Sequence, residues 1–344
     1  MKRVLVIKMS SLGDVIHTFP AITEARRQYP DLVFDWVVEE AFTDLPRLHP
    51  AVDRVIPIGF RRLRKKPITM FRSEEWKTFI QQLREKDYDY VIDAQSLLKS
   101  AWIARQARRP VHGLDFSSAR ESLASLFYRY RYRIAKGQLA IDRIRQLFAG
   151  VLGYELSEAF PGYGINKECV ASGLVEKPYL FFLHSTAWSS KQWPDSYWQE
   201  LAVLAGKAGY RILMTGGNMQ ELARARLIAS NTESATVLPR MELLNLAAYL
   251  ADADLVIGLD TGLSYLASAL GAPCLTLYGA TRPEASSDMG QIQDVMSVDF
   301  PCAPCHKRVC QYKGRGRVYP ACYETLPPSE VWKRADTLLR VNKQ

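Results

Sequence analysis

Val4-Leu5-Val6-Ile7-Lys8-Met9-Ser10-Ser11-Leu12-Gly13-Asp14 opens the chain, and Leu255-Val256-Ile257-Gly258-Leu259-Asp260-Thr261-Gly262 repeats its plan far downstream. Each is a short apolar run, rich in β-branched residues, that ends in small polar residues, a glycine and one carboxylate. Such a run predicts a buried parallel strand followed by a tight turn and a helix start. In open α/β sheets ligands bind at the carboxyl ends of strands, so both turns are candidate ligand loops. One loop in each half predicts two nucleotide-binding-like domains with a reaction cleft between them.

The rest of the chain keeps that rhythm. In the first half, strands are expected at 4–8, 34–39, 52–58 and 88–94, with helices at 15–29, from Ser73, and at 97–107. Residues 155–178, with Pro161, Gly162, Gly164, Gly173 and Pro178, break the pattern and read as the interdomain connection. Strands at 179–183, 211–215, 237–238, 255–259 and 273–278 then alternate with helices at 195–208, 220–230, 242–251 and 263–270. Strand–helix alternation of this kind implies mostly parallel sheets. The expected organisation is an N-terminal domain over 1–160, a C-terminal domain over 161–327 and a final helix within 328–344 that packs back on the first domain.

A length of 344 residues agrees with about two domains of about 150 residues each. The 48% hydrophobic and 24% charged content is that of ordinary globular chains. A net charge of +9, from 45 basic and 36 acidic residues, favours an anionic partner. The apolar run at the start stops at Lys8 without a small-residue cleavage site, so it reads as a strand and not as a signal peptide. No stretch approaches the roughly 20 apolar residues of a membrane span. A cytoplasmic protein is expected, and its six cysteines are then thiols or metal ligands in preference to disulfides.

Asp14 follows Gly13, where a ligand can approach the backbone closely, with Ser10 and Ser11 in the same turn. It is a candidate general base, and equally a helix cap. Asp260, Thr261 and Gly262 open a helix whose free N–H groups suit a diphosphate, with Thr261 and Ser264 as hydroxyl donors. Asp260 itself would repel phosphate, so it is expected to cap the helix or to accept from a sugar hydroxyl. No G-x-G-x-x-G fingerprint is present. Between them, His184-Ser185-Thr186-Ala187-Trp188-Ser189-Ser190-Lys191-Gln192-Trp193-Pro194 reads as an anion cradle with Lys191 as a point charge.

Two basic stretches lie in the first half. Arg61-Arg62-Leu63-Arg64-Lys65-Lys66 is one. The other, Tyr128-Arg129-Tyr130-Arg131-Tyr132-Arg133, would in an extended chain put arginines on one face and tyrosines on the other. Each is a solvated charged face or a contact for a polyanion or an anionic membrane. No nucleic-acid-binding fold signature accompanies them, so no nucleic-acid partner is expected. Cys302, Cys305, Cys310 and Cys322 are spaced C-x2-C-x4-C-x11-C. The first step matches half of a tetrahedral thiolate site, leaving a structural zinc or iron beside the alternative of reduced thiols, with His306 as an alternate ligand.

Taken together, these segments resemble the lipopolysaccharide heptosyltransferases, family 9 of the glycosyltransferases, and most closely the type I members. The likeness runs nearly end to end. It is carried by 8–18, by Phe34-Asp35-Trp36-Val37-Val38-Glu39-Glu40, by Val91-Ile92-Asp93-Ala94-Gln95 and by 119–128. In the second half it is carried by Lys191-Gln192-Trp193-Pro194 and Asp260-Thr261-Gly262-Leu263-Ser264. The resemblance implies a GT-B fold of two Rossmann-like domains. It also implies inverting transfer from ADP-L-glycero-D-manno-heptose to the Kdo region of a lipid A precursor, at the cytoplasmic face of the inner membrane, without a catalytic metal. It puts Asp14 at the base position and Thr186, Lys191, Glu221, Met241, Asp260, Thr261, Gly262 and Ser264 at the donor site. Ser10, Ser11, Gly13, Arg61, Arg62, Arg64 and Arg120 fall at the acceptor site. The chain departs from the pattern at Tyr265, where a histidine is usual, at Ala187, where a second threonine is common, and at Leu139, often histidine in type I members. Its cysteines are more typical of type II members. A different sugar nucleotide, a later core acceptor and a non-catalytic scaffold therefore stand as alternatives.

Overall fold

The computed structural model describes residues 2–63, 71–170, 172–283 and 293–342. The chain divides into two compact units, Met1–Lys167 and Glu168–Gln344. The first holds the strands β1 (Arg3–Ile7), β2 (Val33–Glu39), β3 (Val52–Ile58), β4 (Tyr90–Asp93), β5 (Val111–Leu114) and β6 (Tyr130–Tyr132). The second holds β7 (Tyr179–Leu183), β8 (Arg211–Met214), β9 (Ala235–Val237), β10 (Leu255–Leu259), β11 (Cys274–Tyr278) and β12 (Gln293–Ser297).

Every strand pairing is parallel. The sheet orders are β3-β2-β1-β4-β5-β6 and β12-β11-β10-β7-β8-β9. Counted within each unit, both are the doubly wound order 3-2-1-4-5-6. The order reverses between β1 and β4 in the first sheet and between β7 and β10 in the second. A crevice opens at such a reversal because successive crossovers leave in opposite directions. The central strands β1, β7 and β10 are buried almost throughout, as strands covered on both faces must be. That is why they read as unbroken apolar runs.

Some expectations needed adjustment. The helix expected over 15–29 is two, Leu12–Ile16 and Phe19–Gln28. Pro20 has no N–H to give the preceding turn and sits in the first turn of the second helix, where that loss costs nothing. Strands β5, β6 and β12 and the helix Ala140–Leu152 were not anticipated. β6 is only Tyr-Arg-Tyr, too short for periodicity to reveal. The last helix is Pro328–Val341. Its stripe Val331, Ala335 and Leu339 is buried in the core of the second unit, against the helix Asp195–Lys207. Leaving that stripe exposed would forfeit about 1.5–3 kcal/mol for each large side chain.

Candidate active site

In the first unit the turn after β1 lies at the β1/β4 reversal. Ser11 precedes the helix Leu12–Ile16, and Asp14 Oδ2 accepts from Ser11 N at 2.9 Å and from Ser11 Oγ at 3.0 Å. Asp14 therefore does cap its helix. Its other oxygen, Oδ1, lies 3.6 Å from Lys8 Nζ, and the carboxylate stays about a third exposed (30%). Lys8 is buried and donates to Ala94 O at 2.9 Å. Burial pushes the Asp14 carboxyl up, but Lys8, the Ser11 N–H and His17 outweigh it and hold the group below the ordinary aspartate value.

The turn after β4 braces this loop. Gln95 accepts from Met9 N at 2.8 Å and donates to Ser10 Oγ at 3.3 Å. Fully buried Asp93 fixes Gln95 in turn. It accepts from Gln95 N, Ser96 N, Ser100 Oγ and Tyr128 OH at 2.8–3.1 Å, and burial pushes its carboxyl up. Lys8, Asp93 and Gln95 were not singled out as functional from sequence. Their signals were position at strand ends and membership of the segments that carry the family resemblance.

The expected acceptor residues fare unevenly. Ser10 is half-buried, Ser11 and Arg120 are exposed, and Gly13 is buried. Arg61 N donates to Glu39 Oε1 at 3.0 Å, and its guanidinium stands over the Phe42 ring. Arg62 is held by Glu40 and Glu75, each at 2.8 Å, and those bonds raise its pKa. Its charge is already matched. Arg64 lies outside the described residues. In β6 the alternation holds: Tyr130 and Tyr132 stack on His112, and Arg131 stands over Phe116 on the other side.

In the second unit the turns after β7 and β10, the two strands at the reversal, meet directly. Lys191 Nζ lies 2.5 Å from Asp260 Oδ2, with both side chains largely buried. Asp260 also accepts from Thr281 Oγ1 at 2.6 Å and from Tyr265 OH at 2.5 Å. Burial pushes its carboxyl up, but Lys191 first, then the Thr281 and Tyr265 hydroxyls, bring it below the ordinary value. Asp260 thus neither caps the helix nor stands open to a sugar; it is a grip on Lys191. The cap of Gly262–Ala269 is Thr261, whose Oγ1 accepts from Leu263 N at 3.2 Å.

The Lys191 turn is clamped from below. Arg224 donates to His184 O and Trp193 O, each at 2.7 Å, and Tyr323 OH donates to Lys191 O at 2.7 Å. Trp193 is fully buried and donates to Leu326 O. Thr186 and Met241 are half-buried at this end of the sheet. Glu221 serves the turn before its own helix, accepting from Gly217 N at 2.8 Å and Asn218 Nδ2 at 2.9 Å.

One expectation is overturned here and one alternative finds no support. Ser264 is buried and donates to Leu259 O at 2.6 Å, because it packs on Gly258 inside the turn. Its hydroxyl is not offered to a ligand. The unsupported alternative is the metal site. Among the described residues no group of three or more His, Cys, Asp or Glu side chains is arranged to hold a metal ion. Cys302, Cys305, Cys310 and Cys322 are all free thiols. Cys302 is exposed, whereas Cys322 sits in the core of the second unit. Burial, then the neighbouring thiols, pushes Cys322 up to about 12. No helix among the described residues is long and apolar enough to cross a membrane.

Residues 76–315 match the family described as glycosyltransferase family 9 (heptosyltransferase). Lipopolysaccharide heptosyltransferase 1 of Pseudomonas aeruginosa is 47% identical over 98% of both chains. The Escherichia coli protein of the same name is 43% identical over 85% of this chain and 92% of its own. Among solved structures, E. coli heptosyltransferase WaaC with ADP superposes with a TM-score of 0.85 at 38% identity, over 98% of this chain and 99% of that one. WaaC with ADP-2-deoxy-2-fluoro heptose gives 0.79 at 42% identity, over 86% and 93%. The two Rossmann-like sheets are those of the GT-B type, and the chain belongs to glycosyltransferase family 9, the heptosyltransferases.

Proposed function

We propose that this enzyme transfers heptose, with inversion, from ADP-L-glycero-D-manno-heptose to the Kdo region of the lipopolysaccharide inner core. The observation that carries the reading is the buried Lys191–Asp260–Thr281 group beside the N-terminus of Gly262–Ala269, at a sheet reversal. A cation and free helix N–H groups suit a leaving diphosphate. Charge that grows on the departing ADP gains from them only as the glycosidic bond breaks, which lowers the barrier and not merely the ground state.

Asp14 is the proposed base. It is ionised at neutral pH and partly exposed, and Ser11 and Lys8 keep it in one orientation. The acceptor hydroxyl attacks the anomeric carbon opposite the departing ADP and gives its proton to Asp14. A base with a lowered pKa takes that proton late, as the hydroxyl acquires positive charge in the attack. Thr186 and Met241 would line the donor pocket. Glu221 would orient the turn at Gly217 more than touch the donor. Arg61 and Arg120 would meet the acceptor's anionic groups.

The lipid-linked acceptor also calls for contact with a membrane surface. Phe116, Leu123 and Leu126 are exposed (43%, 56% and 58%) in the same segment as exposed Arg120, Arg129, Arg131 and Arg133. Arg131 donates to Ser125 O and stands over Phe116, which ties the two parts of the segment together. Apolar tips ringed by arginines fit an anionic bilayer, at about 1 kcal/mol per cation. On this reading the protein works at the cytoplasmic face of the inner membrane.

One experiment tests the core of the reading: purified protein, ADP-heptose and a Kdo-bearing lipid A acceptor, followed by mass spectrometry. The acceptor should gain one heptose and ADP should be released. A protein that binds no ADP by calorimetry, or that leaves the acceptor unchanged, ends it. Lys191→Ala should weaken ADP binding in the same assay. For the membrane contact, cosedimentation with phosphatidylglycerol vesicles should fall on Leu123→Asp with Leu126→Asp, and phosphatidylcholine vesicles should retain little of either protein.

A further inference from the structure

Lys191 and Arg308 stand over the same ring. Lys191 Nζ lies 4.6 Å and the Arg308 guanidinium carbon 5.8 Å from the Trp188 centroid. The two cationic centres are therefore no more than about 10 Å apart. They differ in what already holds them. Lys191 is matched by Asp260 at 2.5 Å, whereas Arg308 is exposed and makes no ion pair among the described residues.

The backbone that carries Arg308 is fixed to the turn that carries Lys191 and to the chain beside Thr281. Ser190 N and Ser189 Oγ both donate to Arg308 O at 3.3 Å, and Ser190 Oγ donates to Lys307 O. On the other side His306 N donates to Ala280 O at 2.8 Å, next to Thr281, which binds Asp260. The cysteine-flanked segment 305–310 is thus tied down between the turn after β7 and the end of β11.

We propose that Arg308 is a further donor-binding residue, holding a phosphate of the sugar nucleotide from its seat on Trp188. This rests on the donor reading given above. With Lys191 neutralised by Asp260, that pair brings no net charge to a diphosphate, and the helix end supplies only about half a positive charge. A second cation is needed, and Arg308 is one whose charge is unspent. Stacking uses the face of a guanidinium and leaves its in-plane N–H groups free to fork onto phosphate oxygens. The segment also gives the otherwise unassigned cysteine loop a task, as the strap that carries this arginine.

The test is calorimetry of ADP and of adenosine with the wild-type enzyme, Arg308→Gln and Arg308→Lys, with the melting temperature as a control. Arg308→Gln should weaken ADP about tenfold, as loss of a charge-assisted bond does, and leave adenosine unchanged. Arg308→Lys should fall between the two. Undiminished ADP affinity in Arg308→Gln overturns the proposal. So does an equal loss for adenosine, which would make Arg308 a prop for the loop and not a phosphate ligand. Trp188→Leu, which removes the seat, should reproduce the ADP-selective loss, and an unchanged ADP affinity there also counts against it. Wild-type enzyme that binds no ADP would instead defeat the donor reading itself.

Discussion

The turn after β1 and the turn after β10 each hold one aspartate near one lysine, yet the two pairs are built for different work. Lys8 and Asp14 are 3.6 Å apart, and the aspartate is the more exposed partner. Lys191 and Asp260 are in contact at 2.5 Å, and two hydroxyls complete the aspartate's shell. Both carboxyls lie below the ordinary aspartate value. The first keeps an oxygen that is not fully hydrogen-bonded, as a proton acceptor requires. The second has both oxygens engaged and serves as an anchor. The same residue types after the same kind of strand thus diverge through the number of donors around them.

The largest break in this comparison should come from chemistry. Asp14→Asn should lower kcat by about 10²–10⁴ while ADP affinity, read by calorimetry, stays put. Asp260→Asn should mainly weaken ADP. If Asp14→Asn weakened ADP and spared kcat, the roles assigned to the two turns would be exchanged.

Stability should separate them next. Asp260→Ala leaves Lys191 without its buried partner and should cost about 3–5 kcal/mol in a urea melt. Asp14→Ala removes a helix cap and should cost about 1 kcal/mol. Equal midpoints for the two variants would show that the pairs are equally buried in solution.

A finer probe is Lys8→Met. Without the ammonium the Asp14 pKa rises, so the acid limb of the kcat/KM profile should move to higher pH. An unmoved limb would mean that Lys8 does not tune the base. The smallest effect is on acid unfolding. Both aspartates are depressed in the folded state, so their stabilising contribution is complete above the unfolded pKa of about 3.9 and fades as pH falls through the lower folded values. Asp260→Asn should therefore flatten stability against pH below about 4 more than Asp14→Asn does. The reverse order would contradict the tighter second pair.

Much of the site was legible because it is local. A β-branched run followed by Ser-Ser-Leu-Gly-Asp or Asp-Thr-Gly places a carboxylate at a strand end whatever surrounds it. Asp14 and Asp260 stand out on that ground, and Lys191 stands out as the lone cation of a hydroxyl-rich turn after another strand. Ser264 misled because its neighbours fit a ligand loop, while its own hydroxyl turns back to Leu259. The cysteine spacing left metal and reduced thiols both open because spacing does not say which thiol enters a core. Tyr265 looked like a departure from the family and proves to be a donor to Asp260. Arg308 lay in a loop with no periodicity and nothing to mark it.

By itself the amino-acid order determined the two Rossmann-like halves and the strand ends at which the two aspartates would appear, because turns and buried strands are written over five to ten neighbouring residues. Only the tertiary structure decided which groups those aspartates meet. Lys191 reaches Asp260 across 69 positions, and Gln95 reaches Met9 across 86. Those meetings depend on β7 lying beside β10 and β1 beside β4, and strand order is settled by how whole crossovers pack on a sheet.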